Sequence, residues 1–278
     1  MTYKTDLPVM MPITPREPEP FLRLKLWHAA PIALMCIMGA TFAFAAGGDL
    51  KETPLAVLMN WAPLLLQGFV FNLVISFCAM TLGTAIGALL GLGQISPARA
   101  ISASSWFVTQ FFRNAPWLVL LFFAMFLLPF ELSIFGLRIP FPDWLKAILG
   151  LSLPVMANVS EIVRGAVRSL PSGQWEAAES LAYTRRQTLW LIILPQCVKR
   201  MLPPWMNLYS ILTMATVLAS IVGVSEVMTL TGRALSAEGG RPELLAPFYG
   251  FVLLLFFVYC YPIARFTVWL EKKFAVID

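Results

Sequence analysis

The chain contains a single histidine, His28. Catalysis or metal chemistry built on several histidines is thereby excluded. Cysteine is sparse as well. Cys36, Cys78, Cys197 and Cys260 are scattered, three of them in apolar runs, and they form no CxxC or metal-ligand spacing. Core packing is the reading that remains for them. Charge is scarce: 13% of the residues are charged, against about 25% in a soluble domain. None of the apolar runs offers the aspartate pair or Ser/His constellation that an intramembrane protease requires.

Hydrophobic residues make up 59% of the chain, and the mean hydropathy is +0.76. Apolar runs recur, each near or beyond the roughly 20 residues that one bilayer crossing needs. They fall at about 26–46, 61–92, 105–130, 144–167, 205–230 and 245–270. This pattern predicts an all-α, polytopic membrane protein of about six transmembrane helices. Residues 1–25 read as a proline-rich tail, and 26–48 as a retained N-terminal transmembrane helix although "AFAA" (Ala43–Ala46) resembles a cleavage site. In the third run, Arg113 and Pro116 predict an amphipathic approach before a true span from about Trp117. Residues 131–143 read as a proline-bearing loop.

The net charge of +5 is explained by topology rather than by nucleic acid. Six crossings place both termini on one side. Fifteen of the twenty Lys and Arg residues then fall on that side, and five on the other. The positive-inside rule makes the first side cytoplasmic. Trp27, Trp61, Trp144, Trp205 and Trp269 sit at segment ends, as interfacial anchors do. The glycine-bearing run "LGTAIGALLGLG" (Leu82–Gly93) reads as a close-packing surface between helices.

Between the fourth and fifth segments lies "GQWEAAESLAYTRRQTLWLIILP" (Gly173–Pro195), polar at first and apolar later. Pro171 and Ser172 offer a helix start, with Ser172 as the N-cap. Glu176 and Glu179 suit the positive end of that helix. Trp175, Ala178 and Leu181 form an apolar face, and Ala177 and Ala178 leave the surface nearly bare. "TRRQ" (Thr184–Gln187) is a capping box that starts a second helix. Two short helices of this kind form either a plug for a socket on another protein or an amphipathic interfacial linker.

These residues resemble the EAA loop of the inner-membrane permeases of ABC importers, whose pattern is E-A-A, three residues, Gly, nine residues, I-x-L-P. Here Glu176, Ala177 and Ala178 are followed by Ala182 where glycine is usual, then by Ile192, Leu194 and Pro195. "SEIVRGAVRSLPSGQWEAA" (Ser160–Ala178), "FFRNAPWLVLLFF" (Phe111–Phe123) and "LASIVGVSEV" (Leu218–Val227) resemble the polar amino acid uptake branch. The resemblance implies a MetI-like five-helix core, a permease domain over 60–275 with its loop at 172–195, and location in a bacterial inner membrane. It implies a cytoplasmic ATPase dimer, a second permease subunit, identical or paralogous, and a periplasmic substrate-binding protein. The loop would couple to the ATPase through Glu176, Ala177, Ala178, Glu179, Leu181, Ala182 and Thr184. At Ala182, either the turn is ordinary right-handed helix or a left-handed residue is tolerated at about 1 kcal/mol.

No GxxxxGK[ST] pattern occurs in the chain. It is therefore read as a transport subunit rather than an enzyme, with no cofactor of its own. ATP and Mg belong to the partner ATPase. Polar residues at membrane depth are candidates for the substrate path: Asn72, Asn158, Ser160, Glu161, Thr213, Thr216 and Ser220. Glu161 and Arg164 can equally neutralise each other, and Asn158 can equally serve helix packing. Thr213, Thr216 and Ser220 form a stripe that lines a path or bonds back to its own helix. Glu226 is placed on the periplasmic side, near the gate or the binding-protein dock. A different solute, such as an opine, fits the same architecture. A passive channel or an intramembrane enzyme fits less well.

Overall fold

The computed structural model describes residues 53–134 and 137–274. The expected tail (1–25) and first segment (26–48) lie outside the described residues. What is described is helical apart from one two-stranded antiparallel hairpin, β1 (Glu131–Ile134) with β2 (Leu137–Pro140). That hairpin occupies part of the expected 131–143 loop, with Glu131 opposite Pro140.

Helix α1 runs from Pro54 to Gln94. Thr53 caps it, and Pro54 sits in the first turn, where a missing N–H costs nothing. At 1.5 Å per residue it is about 60 Å long, twice the hydrocarbon thickness, so part of it projects beyond the bilayer. Its glycine-rich end packs on α4 (Asp143–Arg168). A Cβ at Gly87 would lie 2.5 Å from the Met156 carbonyl oxygen, and one at Gly91 2.7 Å from Val163 Cβ. These glycines thus allow the two backbones to approach closely.

The third expected segment is two helices, α2 (Arg99–Asn114) and α3 (Trp117–Leu127), bent by 104°. Ala115 precedes Pro116 and is extended at φ −79°, ψ 137°, since a residue before proline avoids the helical region. Helix α4 is the most enclosed element. Leu151, Val155 and Val159 pack with Ile75 of α1 and Leu121 of α3.

After α4 come α5 (Ser172–Ser180), α6 (Arg185–Gln187), a π-helical stretch (Thr188–Ile193) and α7 (Leu194–Ala215). The expected span at 205–230 is not one helix. Helix α7 tightens into a 3-10 turn at Thr216–Ser220. The chain then turns through Gly223, at φ +91°, into α8 (Val227–Ala237). Helix α9 (Leu245–Phe274) closes the described fold. A second core joins Leu65 and Phe69 of α1 to Val227 of α8 and Phe248 of α9. Among the described residues three helices are long and apolar enough to cross a membrane, or four if the bent α2–α3 pair is counted as one span. The shortfall from the five expected here lies at α7, whose early turns carry Lys199, Arg200, Pro203 and Pro204.

Candidate functional site

The loop between α4 and α7 stands on a small core of Val167, Leu170, Ile193 and Cys197, against which Trp175 packs. Gln196 Nε2 donates to Gln174 Oε1 at 3.3 Å, and Arg200 donates to the Ser169 carbonyl at 2.8 Å. The first helix is capped by Pro171, and Ser172 is its first residue rather than its cap. Ala178 is buried and Trp175 half-buried, whereas Leu181 is 72% exposed. The expected apolar face therefore stops at Ala178, because the chain leaves the helix at Leu181.

At that exit the Ala182 amide donates to the Glu179 carbonyl at 2.9 Å, and the Tyr183 amide to the Ala178 carbonyl at 3.1 Å. Ala182 has φ +59°. Both bonds and the left-handed residue are those of a Schellman motif, the usual way to satisfy terminal carbonyls. The left-handed alternative is thus the one adopted. Thr184 then caps α6: its hydroxyl accepts from the Gln187 amide at 3.4 Å, and its own amide donates to Gln187 Oε1 at 2.9 Å. With both ends of the turn pinned, Glu176, Ala177, Glu179, Leu181, Ala182 and Thr184 are all exposed.

The polar candidates divide into two groups. Near the end of α1, Gln94 Nε2 donates to Ser160 Oγ at 2.8 Å, Thr109 Oγ1 at 3.2 Å and Glu161 Oε1 at 3.3 Å. Thr109 and Ser160 are themselves 3.0 Å apart. Glu161 is paired with Arg164 and, at 3.5 Å, with Arg113. Asn158 is not in this network. Its Nδ2 donates to the Pro154 carbonyl at 2.8 Å. It lines a groove of about 510 Å³ together with Arg113, Glu161, Arg200 and Asn207.

The other group is built on Asn72, which is fully buried. Its Nδ2 donates to Thr216 Oγ1 and to Glu226 Oε2, both at 2.9 Å, and its Oδ1 accepts from the Val227 amide at 3.1 Å. Glu226 is also fully buried and caps α8, accepting from the Thr229 amide at 2.9 Å. It therefore presents no surface to a periplasmic partner. Thr213 and Ser220 donate to the carbonyls of Tyr209 and Val217 in their own segment. Asn72 and Gln94 are 22 residues apart on one helix, about 33 Å, so the candidates do not form a single site. Gln94 and Thr109 were not foreseen. Their only signal was a polar residue at the last turn of one apolar run and on the amphipathic start of the next.

Residues 83–276 match the family described as "Binding-protein-dependent transport system inner membrane component". The chain belongs to this family. It is 34% identical over 213 residues to the probable amino-acid ABC transporter permease protein YckA of Bacillus subtilis (strain 168), covering 77% of this chain and 90% of that one. It is 31% identical to the inner membrane amino-acid ABC transporter permease protein YhdY of Escherichia coli (strain K12), covering 74% of this chain and 55% of that one. A solved amino acid ABC transporter with histidines shares the fold at TM-score 0.68 and 23% identity, over 81% of this chain and 100% of that one. This family member is a multi-pass inner-membrane permease subunit of an ABC importer. It is a transport component rather than an enzyme, and ATP hydrolysis belongs to a separate subunit.

Proposed function

We propose that this permease carries a polar amino acid from periplasm to cytoplasm by alternating access, with both termini cytoplasmic. The observation that carries the reading is the exposed, doubly pinned turn from Glu176 to Thr184. Such an element transmits force only if it does not yield, and its Schellman and capping-box ends resist yielding. In this reading Glu176, Ala177, Glu179, Leu181, Ala182 and Thr184 form the coupling surface for a dimeric ATPase that holds ATP and Mg, and Ala178, expected on that surface, is buried behind it. The bare surface at Ala177 lets a partner approach the helix backbone. A second permease subunit completes the path, and a periplasmic binding protein delivers the solute.

The relatives, amino-acid permeases by name, support the amino acid class. So does the groove bearing Arg113, Arg200, Glu161, Asn158 and Asn207, whose groups complement a carboxylate and an ammonium. Ser160 belongs to this end of the path through Gln94. Asn72, Thr213 and Thr216 are fully buried and, with Ser220, hold the α7–α8 turn rather than meet solute. The test is co-purification with the ATPase and binding protein, followed by a screen for stimulated ATP hydrolysis across amino acids and opines. Stimulation by a polar amino acid is the expected result. Stimulation only by another solute class would overturn the substrate assignment, and failure to associate with any ATPase would overturn the coupling assignment.

A further inference from the structure

A cleft of about 980 Å³ lies behind the loop, between α5–α6 and the turn that joins α1 to α2. Its rim carries Arg168, Arg185 and Arg186, and its wall carries Leu170, Trp175 and Leu189. None of the three guanidinium groups has a carboxylate within ion-pairing distance among the described residues. Arg185 lies over the Trp175 ring, 5.9 Å from its centroid, a contact that supplies no counter-charge. Glu176 and Glu179, the acids of the loop, line no part of the cleft.

Three like charges around one cleft repel each other unless an anion joins them. An apolar wall beneath a cationic rim fits a molecule with an anionic head and a hydrocarbon tail. The adjoining α2 exposes Ile101, Phe107 and Phe111, and an amphipathic helix of this kind lies in the membrane interface. That places the cleft at headgroup depth, where basic pockets between helices take up anionic headgroups. We propose that this cleft binds an anionic phospholipid. Its phosphate is held by Arg168, Arg185 and Arg186, and an acyl chain lies along Leu170, Trp175 and Leu189. Because Arg185 and Arg186 directly follow the Thr184 cap, the lipid braces the coupling turn from the membrane side. The inference rests on the loop lying at the membrane surface and not on which ATPase docks there. Failed ATPase co-purification leaves it standing.

The test uses the assembled transporter in bilayers of phosphatidylglycerol and phosphatidylcholine in equal parts, with retained lipid counted by native mass spectrometry. The wild type should retain phosphatidylglycerol preferentially. Arg168→Gln with Arg186→Gln should reduce that retention by about fivefold for each arginine removed, while the Arg→Lys pair should keep most of it. Equal retention of the two lipids, or a glutamine pair that behaves as the wild type, overturns the proposal. Displacement of the lipid by excess inorganic phosphate shows a free-anion site and overturns the lipid assignment. Cross-linking of an Arg168→Cys or Arg186→Cys variant to the ATPase shows that protein fills the cleft and does the same. Should the glutamine pair fail to assemble, the wild-type ratio of the two lipids decides the matter.

Discussion

Replacing Ala182 by glycine should tighten the coupling turn. A left-handed conformation costs a non-glycine residue about 1–2 kcal/mol, and Ala182 adopts one at φ +59°. Glycine removes that strain but raises the entropy of the unfolded chain, at a cost of about 0.4–1 kcal/mol. The difference is a net stabilisation of roughly 0.5–1 kcal/mol, or a roughly two- to fivefold shift in local opening. The Tyr183 amide reports on it, because its bond to the Ala178 carbonyl exists only while the motif is closed. Hydrogen exchange at Tyr183 should slow by that factor in Ala182→Gly. It should quicken in Ala182→Val, whose branched side chain crowds a left-handed backbone further. Exchange that quickens in the glycine variant while valine has no effect would refute the left-handed turn and the strain argument together.

Asn72→Ala leaves the Glu226 carboxylate and the Val227 amide short of partners in a fully buried site, so it should cost roughly 2–4 kcal/mol in thermal or denaturant unfolding; a change within about 0.5 kcal/mol would show that the network is not holding α8. Gly87→Ala should destabilise by about 1–3 kcal/mol, because its Cβ meets α4 backbone. Gly250→Ala, with nothing within 4 Å, should be neutral or slightly stabilising by the same unfolding assay. Burial pushes the Cys197 thiol up, opposed in part by Arg200. In a variant retaining only that cysteine, maleimide labelling of the folded chain at pH 8 should be slower than that of the unfolded chain by about tenfold or more, and should rise only at more alkaline pH. Equal labelling rates would place the thiol in water.

The loop was legible because its determinants are local. Thr184 and Gln187 are three residues apart, and a capping box needs nothing else. The glycine surface of α1 was legible for a similar reason, since Gly83, Gly87 and Gly91 recur every four residues on one helix face. The break between α7 and α8 was not. Residues 205–230 read as one apolar run, with no proline after Pro204 to mark a stop. What turns the chain is Gly223 together with Glu226, whose carboxylate is held by Asn72, 154 residues away. The two polar groups were hidden likewise. Hydropathy marks each polar residue singly and carries no information on which of them meet. Asn72 and Thr216 meet because α1 packs beside the 3-10 turn, and Ser160 and Glu161 meet Gln94 because the glycine surface brings α1 against α4.

Coupling through the Glu176–Thr184 turn, as proposed, makes solute movement across this permease depend on ATP hydrolysed by a separate subunit. The direct measurement is uptake of labelled polar amino acid into proteoliposomes that hold the assembled transporter, with and without ATP, for the wild type and Glu176→Lys. Uptake should require ATP and binding protein. In Glu176→Lys uptake should be lost, with the permease still in the membrane and ATP hydrolysis no longer stimulated by solute. Normal uptake by Glu176→Lys, or flux through the wild type without ATP, would contradict this coupling.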